Sequence, residues 1–481
     1  RYAQESRGLG DVYKRQDMGS SSIRAYLGNW DNRKQILQLS EVYRRNIEVN
    51  SAPDGTLTWP VSVFVKIVLD SARAAADVLG GPPDSVGVDG WGVDFVRINS
   101  EGLYEEYPRA YRDKSGHIGQ MYLDQKISQI DQYRLTGVLP QNINSVNRLF
   151  QTSSNKKSSC TSIMFLQDMI ARVLATKEIP GWDDPVECAP WASLGVASTS
   201  ALVDVNRWDW NDKMISAAGI QRQILPSLRG EPSLVAQRGK TKICLSGSHD
   251  TACAAYAIAP EVGDIFVSCG SWAVVGAITA YPVTTDKAYD AGVTNEMATG
   301  GANRAELNQT GLWLVQECRR QWEKEGLDIS YGYLDRIMQE AQSIGIVIDT
   351  SDPELSTPGN MPQKIREILK RDYGVNDCNN GQLLRLIDES LAVSIANSVR
   401  ILRDITDSKG TVRITGGGAK DDFLMQQIAN ILGQEIRSAN CEASIIGNIF
   451  AQLHLLGIPK GATRAWFENA YFSTSIKPNA K

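Results

Sequence analysis

Short apolar runs recur along the chain, separated by longer stretches in which apolar residues return every three or four positions. Residues 85–89 (Ser-Val-Gly-Val-Asp), 242–245, 264–269 and 411–415 are such runs, and their length predicts buried strands. Helical spacing over 61–79, 312–325, 382–405, 423–432 and 444–456 predicts amphipathic helices, and a small-residue helix is expected over 252–259. Strands alternating with helices predict an α/β fold with buried sheets. A chain of 481 residues exceeds what one core usually covers, so two or more domains are expected. Turn-rich punctuation is dispersed, no long linker is visible, and no repeat of solenoid length appears. Two stretches break the pattern. Residues 11–16 are mostly polar, so residues 1–16 read as an atypical leader, and residues 152–192 match no clear element.

Chemistry gathers where these runs end. Gly247-Ser248-His249-Asp250-Thr251 sets a carboxylate, an imidazole and two hydroxyls at a strand end, just before a helix. A general base is held rigidly in such a place, although an Asp there also caps helices for local reasons. Asp17-Met18-Gly19-Ser20-Ser21-Ser22 offers successive N–H groups and hydroxyls to an anion, with Asp17 suited to orienting Mg2+ through water. Read alone, it is equally a serine-rich surface turn. Residues 85–95 place Asp89 and Asp94 around Trp91-Gly92, an aromatic face beside acceptors that suits a polyol and that also suits a buried hairpin. Gly416-Gly417-Gly418 follows a strand and lets backbone approach a bulky ligand such as a nucleotide base. Ser268-Cys269-Gly270-Ser271-Trp272 repeats the device of the first turn in the second half, and two such turns suit a polyphosphate.

Charge and composition narrow the picture further. A net charge of −5 argues against a large surface for nucleic acid, so an anionic ligand is met by local N–H groups and a metal ion. Eight scattered cysteines without a Cys-x-x-Cys pair read as reduced thiols and suit a cytoplasmic protein. With only three histidines, a multi-histidine zinc site is not expected. No apolar run approaches the ~18–20 residues that span a bilayer, so no membrane partner is expected. No Walker phosphate loop and no dinucleotide fingerprint is present.

Together these motifs resemble the FGGY carbohydrate kinases of the actin-like ATPase superfamily. The resemblance runs from Asp17 to about Pro478, through residues 87–95, Tyr111-Arg112-Asp113, Leu135-Thr136-Gly137, residues 197–204, Ser248-His249-Asp250-Thr251, residues 311–322, Gly416-Gly417-Gly418 and residues 442–448. It implies two duplicated ribonuclease-H-like domains, 17–256 and 257–478, closing a cleft over ATP and a ketose. The Trp-Gly-Val-Asp-Phe and Gly-Leu-Trp-Leu blocks point within the family to L-rhamnulose, giving L-rhamnulose 1-phosphate and ADP with Mg2+. The resemblance assigns Asp250 as proton acceptor, with Trp91, Gly92, His249, Thr251 and Asn308 at the sugar. It assigns Ser20, Ser21, Ser22, Ile23 and Arg24 to the first nucleotide loop, and Ser271, Gln316 and Gly417 to the remaining nucleotide contacts. A monomer or small homo-oligomer is expected. Departures are Ile23 where the family has glycine, Gly90 and Ser271 where it has threonine, the absence of the family's Pro-Asp helix block around Gln167-Asp168, and Ala439-Asn440 in place of Gly-Pro. The competing readings are a kinase for L-fuculose or L-xylulose, a silent sugar- or nucleotide-binding relative, and a sugar-independent ATPase of the same superfamily.

Overall fold

The computed structural model describes residues 11–18, 22–153, 160–259, 261–472 and 475–479. Contacts divide the chain into two units, one of residues 1–262, 278–305 and 443–470, the other of 263–277, 306–442 and 471–481. The division interleaves the chain, where the sequence reading cut it once after residue 256.

The first unit is built on strands β1 (Asp11–Met18), β2 (Ser22–Asp31), β3 (Ile36–Asn46), β4 (Ser85–Gly90), β5 (Ser233–Arg238) and β6 (Thr241–His249), in the order β5-β6-β4-β1-β2-β3. β1 to β3 are antiparallel, β4 runs parallel to β1 and β6 parallel to β4. Helices α1 (Val61–Leu79) and α2 (Leu166–Thr176) cover one face. Phe64, Ile67 and Val68 of α1 and Met169, Ile170 and Val173 of α2 pack with Ile23, Val86, Val88, Ile243 and Leu245 in one buried core. Each such side chain contributes about 1.5–3 kcal/mol relative to exposure.

The other face of β4 is polar and still buried. Ser85 Oγ donates to Gln452 Oε1 at 2.6 Å, Gln452 Nε2 to Asn448 Oδ1 at 2.7 Å, and Asn448 Nδ2 to Asp89. Gln452 and Asn448 stand on the helix Ala443–Leu455, and a side chain at Gly87 would overlap Asn448 and Ser246. The same helix packs on α3 (Asp250–Ile258), where Gly447 lies so close to the Cys253 carbonyl that a Cβ has no room. Small residues in α3 follow from that close approach.

The second unit contains β7 (Ile265–Cys269), β8 (Trp272–Thr279, to residue 277), β9 (Asn303–Thr310, from residue 306), β10 (Val412–Thr415) and β11 (Ile436–Ala439), in the order β9-β8-β7-β10-β11. β8 is antiparallel to β7, while β10 and β11 continue parallel. An antiparallel hairpin followed by parallel crossovers thus occurs in both units. Helices α4 (Trp313–Lys324), α5 (Asn380–Thr406) and α6 (Asp422–Leu432) belong here. α5 begins in a capping box between Asn379 and Gln382, and its buried Leu383, Leu386, Ile387, Leu391, Ile395, Val399 and Leu402 recur at helical spacing.

Two expectations are corrected. Residues 11–16, read as a leader, form most of β1, paired on both sides with β2 and β4. A ladder uses backbone N–H and C=O groups, which polar residues also possess. Residues 152–192 contain the strand Cys160–Phe165 and α2, in which Gln167 and Asp168 are buried. Asp168 accepts from Trp191 Nε1 and the Ser193 N–H, both at 2.9 Å, and burial pushes its carboxyl up to about 7.

Candidate active site

The turn from β6 into α3 is distorted. Register against β4 slips between Cys244 and Ser248, and Gly247 and Ser248 take φ of 124° and 40°. A non-glycine residue in that region costs roughly 1–3 kcal/mol and persists only where neighbours hold it. Here Ser248 Oγ donates to Glu231, whose other oxygen accepts the Gly195 N–H at 2.7 Å. Glu231 is buried, which pushes its carboxyl up to about 7. Gly247 has no space for a side chain, since a Cβ would stand 2.6 Å from Thr299 Oγ1 and 2.7 Å from Cys253 Sγ.

That kink delivers His249 as the last residue of β6 and Asp250 as the first of α3. The Asp250 side chain is 36% exposed, unlike the buried carboxylates around it. Its Oδ1 accepts the Thr251 N–H at 2.6 Å, so the carboxylate serves the helix start as well. His249 is more enclosed, and its Nδ1 lies 3.9 Å from Asp250 Oδ1 and 3.9 Å from Glu296 Oε2. Burial, with the Arg304 charge adding, pushes His249 down to about 4, against the pull of Glu296. It is neutral at physiological pH.

Gly92 meets this turn. A Cβ there would lie 2.9 Å from Thr199 Oγ1 and 3.1 Å from His249 Nε2. Thr199 Oγ1 also accepts the N–H of Val93, a β-branched residue at φ 64°. Trp91 is half-buried and donates through Nε1 to Asp94 Oδ2 at 2.8 Å. Of the two readings of this motif, the internal partners of Asp94 and Asp89 favour the buried hairpin. Asp94 is buried and accepts from Trp59, Trp91 and Arg148, while Asp89 is buried under Asn448. Both carboxylates found partners inside the fold, as buried charges must.

Of the residues expected in the first nucleotide turn, Ser20 and Ser21 lie outside the described residues. Asp17 stands on β1, level with Asp89 on β4 and Arg24 on β2. Ser22 opens β2 and is half-buried. Ile23 follows on β2, with its side chain fully buried in the core. Arg24 stacks over Tyr26 with its guanidinium carbon 5.8 Å from the ring centre.

In the second unit Ser271 and Gln316 are brought together, with Ser271 Oγ donating to Gln316 Oε1 at 2.8 Å. The Gly270-Ser271 turn is stapled to the start of α4, for the Gly311 and Trp313 N–H groups donate to Ser271 O at 3.1 and 3.2 Å. Leu312 N–H donates to Gly270 O at 2.8 Å. The glycine triplet divides in two. Gly416, at φ 91°, and Gly418 both press on Cys269, so packing alone requires them. Gly417 is exposed, and a Cβ there would meet only Leu312 Cδ1 at 3.1 Å and the Cys269 carbonyl at 4.0 Å. Asn308 is exposed on β9.

Sequence reasoning missed Glu231, Glu296 and Arg304, which reach the turn from distant segments. Thr199 lay within a motif that carried the family resemblance, but no role was attached to it. Glu231, Glu296 and Arg304 sit in mixed polar stretches, so nothing in the local sequence marked them.

Residues 265–456 match the FGGY family of carbohydrate kinases, C-terminal domain. Similar curated proteins include the rhamnulokinase of Bacteroides thetaiotaomicron, 26% identical over 92% of this chain and 90% of its own. The rhamnulokinase of Oceanobacillus iheyensis is 26% identical over 91% of this chain and 92% of its own. Among solved structures, a xylulose kinase from Rhodospirillum rubrum superposes with a TM-score of 0.78 at 15% identity, covering 97% of this chain and 94% of that one. The Plasmodium falciparum glycerol kinase with ADP gives 0.75 at 12% identity, covering 98% and 95%. These structural likenesses show the fold, two duplicated ribonuclease-H-like domains of the actin-like ATPase type. Residues 265–456 thus match that family's C-terminal domain, and the curated rhamnulokinases are similar to this chain along nearly its full length.

Proposed function

We propose that this carbohydrate kinase transfers the γ-phosphoryl group of ATP to the 1-hydroxyl of L-rhamnulose, in L-rhamnose catabolism in the cytoplasm. The observation that carries the reading is the strained β6–α3 turn, which presents the partly exposed Asp250 carboxylate beside a neutral His249 and the side-chain-free Gly92. Asp250 accepts the proton of the attacking hydroxyl. The sugar O1–P bond forms as the β–γ bridging P–O bond breaks, and its electron pair leaves with ADP. His249 and Thr251 hold neighbouring hydroxyls, Gly92 leaves room for the sugar, and Trp91 and Asn308 complete its surroundings. Ser271, Gln316 and Gly417 contact the nucleotide, with Ser22 and Arg24 on the phosphate side.

The donors assigned near the phosphates are oxygens, Asp17 and the serine hydroxyls, which suits Mg2+ rather than a softer metal. When bound, Mg2+ neutralises the phosphate oxygens that would otherwise repel Asp17 and Asp250. The choice of L-rhamnulose is supported by the name that curated relatives of this length share. Among the described residues, no helix is long and apolar enough to cross a membrane.

The test is ADP release measured on a panel of L-rhamnulose, L-fuculose and L-xylulose. The highest kcat/KM belongs to L-rhamnulose. A higher value for another ketose replaces the substrate and keeps the chemistry, whereas ATP hydrolysis indifferent to every sugar removes both.

A further inference from the structure

Histidine has two ring nitrogens, and when it is neutral only one of them carries a proton. At His249 the surroundings decide which. Arg304 is fully buried at the start of the strand Asn303–Thr310. Its Nη2 donates to Glu296 Oε2 at 2.7 Å, and its Nε to the Met297 carbonyl at 3.2 Å. Thus anchored, Nη2 also faces His249 Nδ1 at 3.5 Å. A guanidinium has donors and no acceptor, so the nitrogen it faces must offer a lone pair. The two carboxylates nearest Nδ1, Asp250 and Glu296, stand at 3.9 Å, beyond hydrogen-bond reach for an N–H there.

The opposite nitrogen, Nε2, is the one that a Cβ on Gly92 would approach to 3.1 Å, so it looks onto the space that glycine keeps open. We infer that Arg304, oriented by Glu296, is a positioning residue that holds His249 with its proton on Nε2, so that the ring donates a hydrogen bond to a ketose hydroxyl. This rests on the sugar site proposed above and adds a division of labour to it. A ring that donates through Nε2 and whose Nδ1 is covered by a guanidinium cannot take the attacking hydroxyl's proton, which leaves Asp250 as the sole acceptor. The depressed basicity of His249, caused mainly by burial, agrees with that arrangement.

The chain has three histidines, so nitrogen-15 spectra that distinguish protonated from unprotonated ring nitrogens are readily assigned, with His249→Gln identifying the relevant pair. In the sugar-free wild-type protein, His249 Nδ1 gives the unprotonated signal and Nε2 the protonated one. Arg304→Gln brings a proton onto Nδ1 in a sizeable fraction of molecules. It raises the KM for the ketose ~10-fold, while the KM for ATP moves less than ~2-fold. Arg304→Lys, which keeps a donor, restores part of both. A wild-type ring protonated at Nδ1 overturns the proposal, as does an Arg304→Gln protein whose tautomer is unchanged. Should Arg304→Gln not fold, Glu296→Gln loosens the anchor and shifts the same signals in the same direction, and an unchanged spectrum there overturns it. Because the spectra are recorded without sugar, a different preferred ketose leaves this test intact.

Discussion

Both units turn the chain sharply where a parallel strand of the sheet ends, and they use opposite means. After β6, Gly247 and Ser248 adopt positive φ, Glu231 clamps the strained serine, and the Asp250 carboxylate is left partly exposed. After β10, side chains are removed instead: Gly416 and Gly418 collapse onto Cys269, and Gly417 exposes bare backbone. The first turn presents a partly exposed carboxylate beside an enclosed imidazole, and the second presents a side-chain-free surface at Gly417. Proton transfer needs a held acid or base, whereas a nucleotide base needs close approach, and each turn fits one of these needs.

Substitutions at each turn separate packing from ligand contact. The largest effect is expected at Gly416→Ala, where positive φ and the Cys269 carbonyl both oppose a Cβ. The loss of about 2–5 kcal/mol is read as a lower denaturation midpoint or a failure to fold. At the first turn, Gly92→Ala puts a methyl group against Thr199 and His249. It raises the ketose KM on the order of 10–100-fold and spares the KM for ATP. Gly417→Ala reverses that selectivity. It costs ~0.5 kcal/mol of stability or less and raises the KM for ATP ~10-fold, leaving the ketose KM alone. Ser271→Ala removes the hydroxyl bonded to Gln316 and raises the KM for ATP a few-fold, about the value of one hydrogen bond.

A stability measurement tests the clamp itself. Glu231 shifts from 4.5 to about 7 on burial, so the folded state binds more protons than the unfolded chain between those values. Stability from this group is therefore full below pH 4.5 and declines as pH rises through about 7. Glu231→Gln flattens that decline, with a residual slope from Asp168, which burial also pushes up to about 7. A denaturant midpoint whose pH dependence is the same in both proteins removes the buried, protonated Glu231 from the account.

Elements whose side chains advertise their burial were legible in the chain. Ser85–Gly90, Ile265–Cys269 and Val412–Thr415 follow apolar runs, and α1 and α5 follow helical spacing. β1 was hidden because its pairing is backbone to backbone and its residues are polar. The strand Cys160–Phe165 and α2 were hidden by flanking Lys, Ser, Trp and Pro. At the site, His249-Asp250 stood out because its chemistry is contiguous. Asp94 left two readings open for the opposite reason, since its partners Trp59 and Arg148 come from outside the motif and consume the carboxylate. Glu231 and Arg304 act across long sequence separations, and periodicity has no access to such contacts. The glycine triplet was half understood, because packing against Cys269 accounts for two of the three.

Asp250→Asn tests the central claim most directly, by calorimetry of L-rhamnulose binding beside ketose-dependent ADP release. Removing the proton acceptor while keeping its size should lower turnover ~10³-fold or more, with sugar affinity held within ~3-fold. Turnover near that of the wild type in the Asn variant would contradict the assignment of Asp250 as the base.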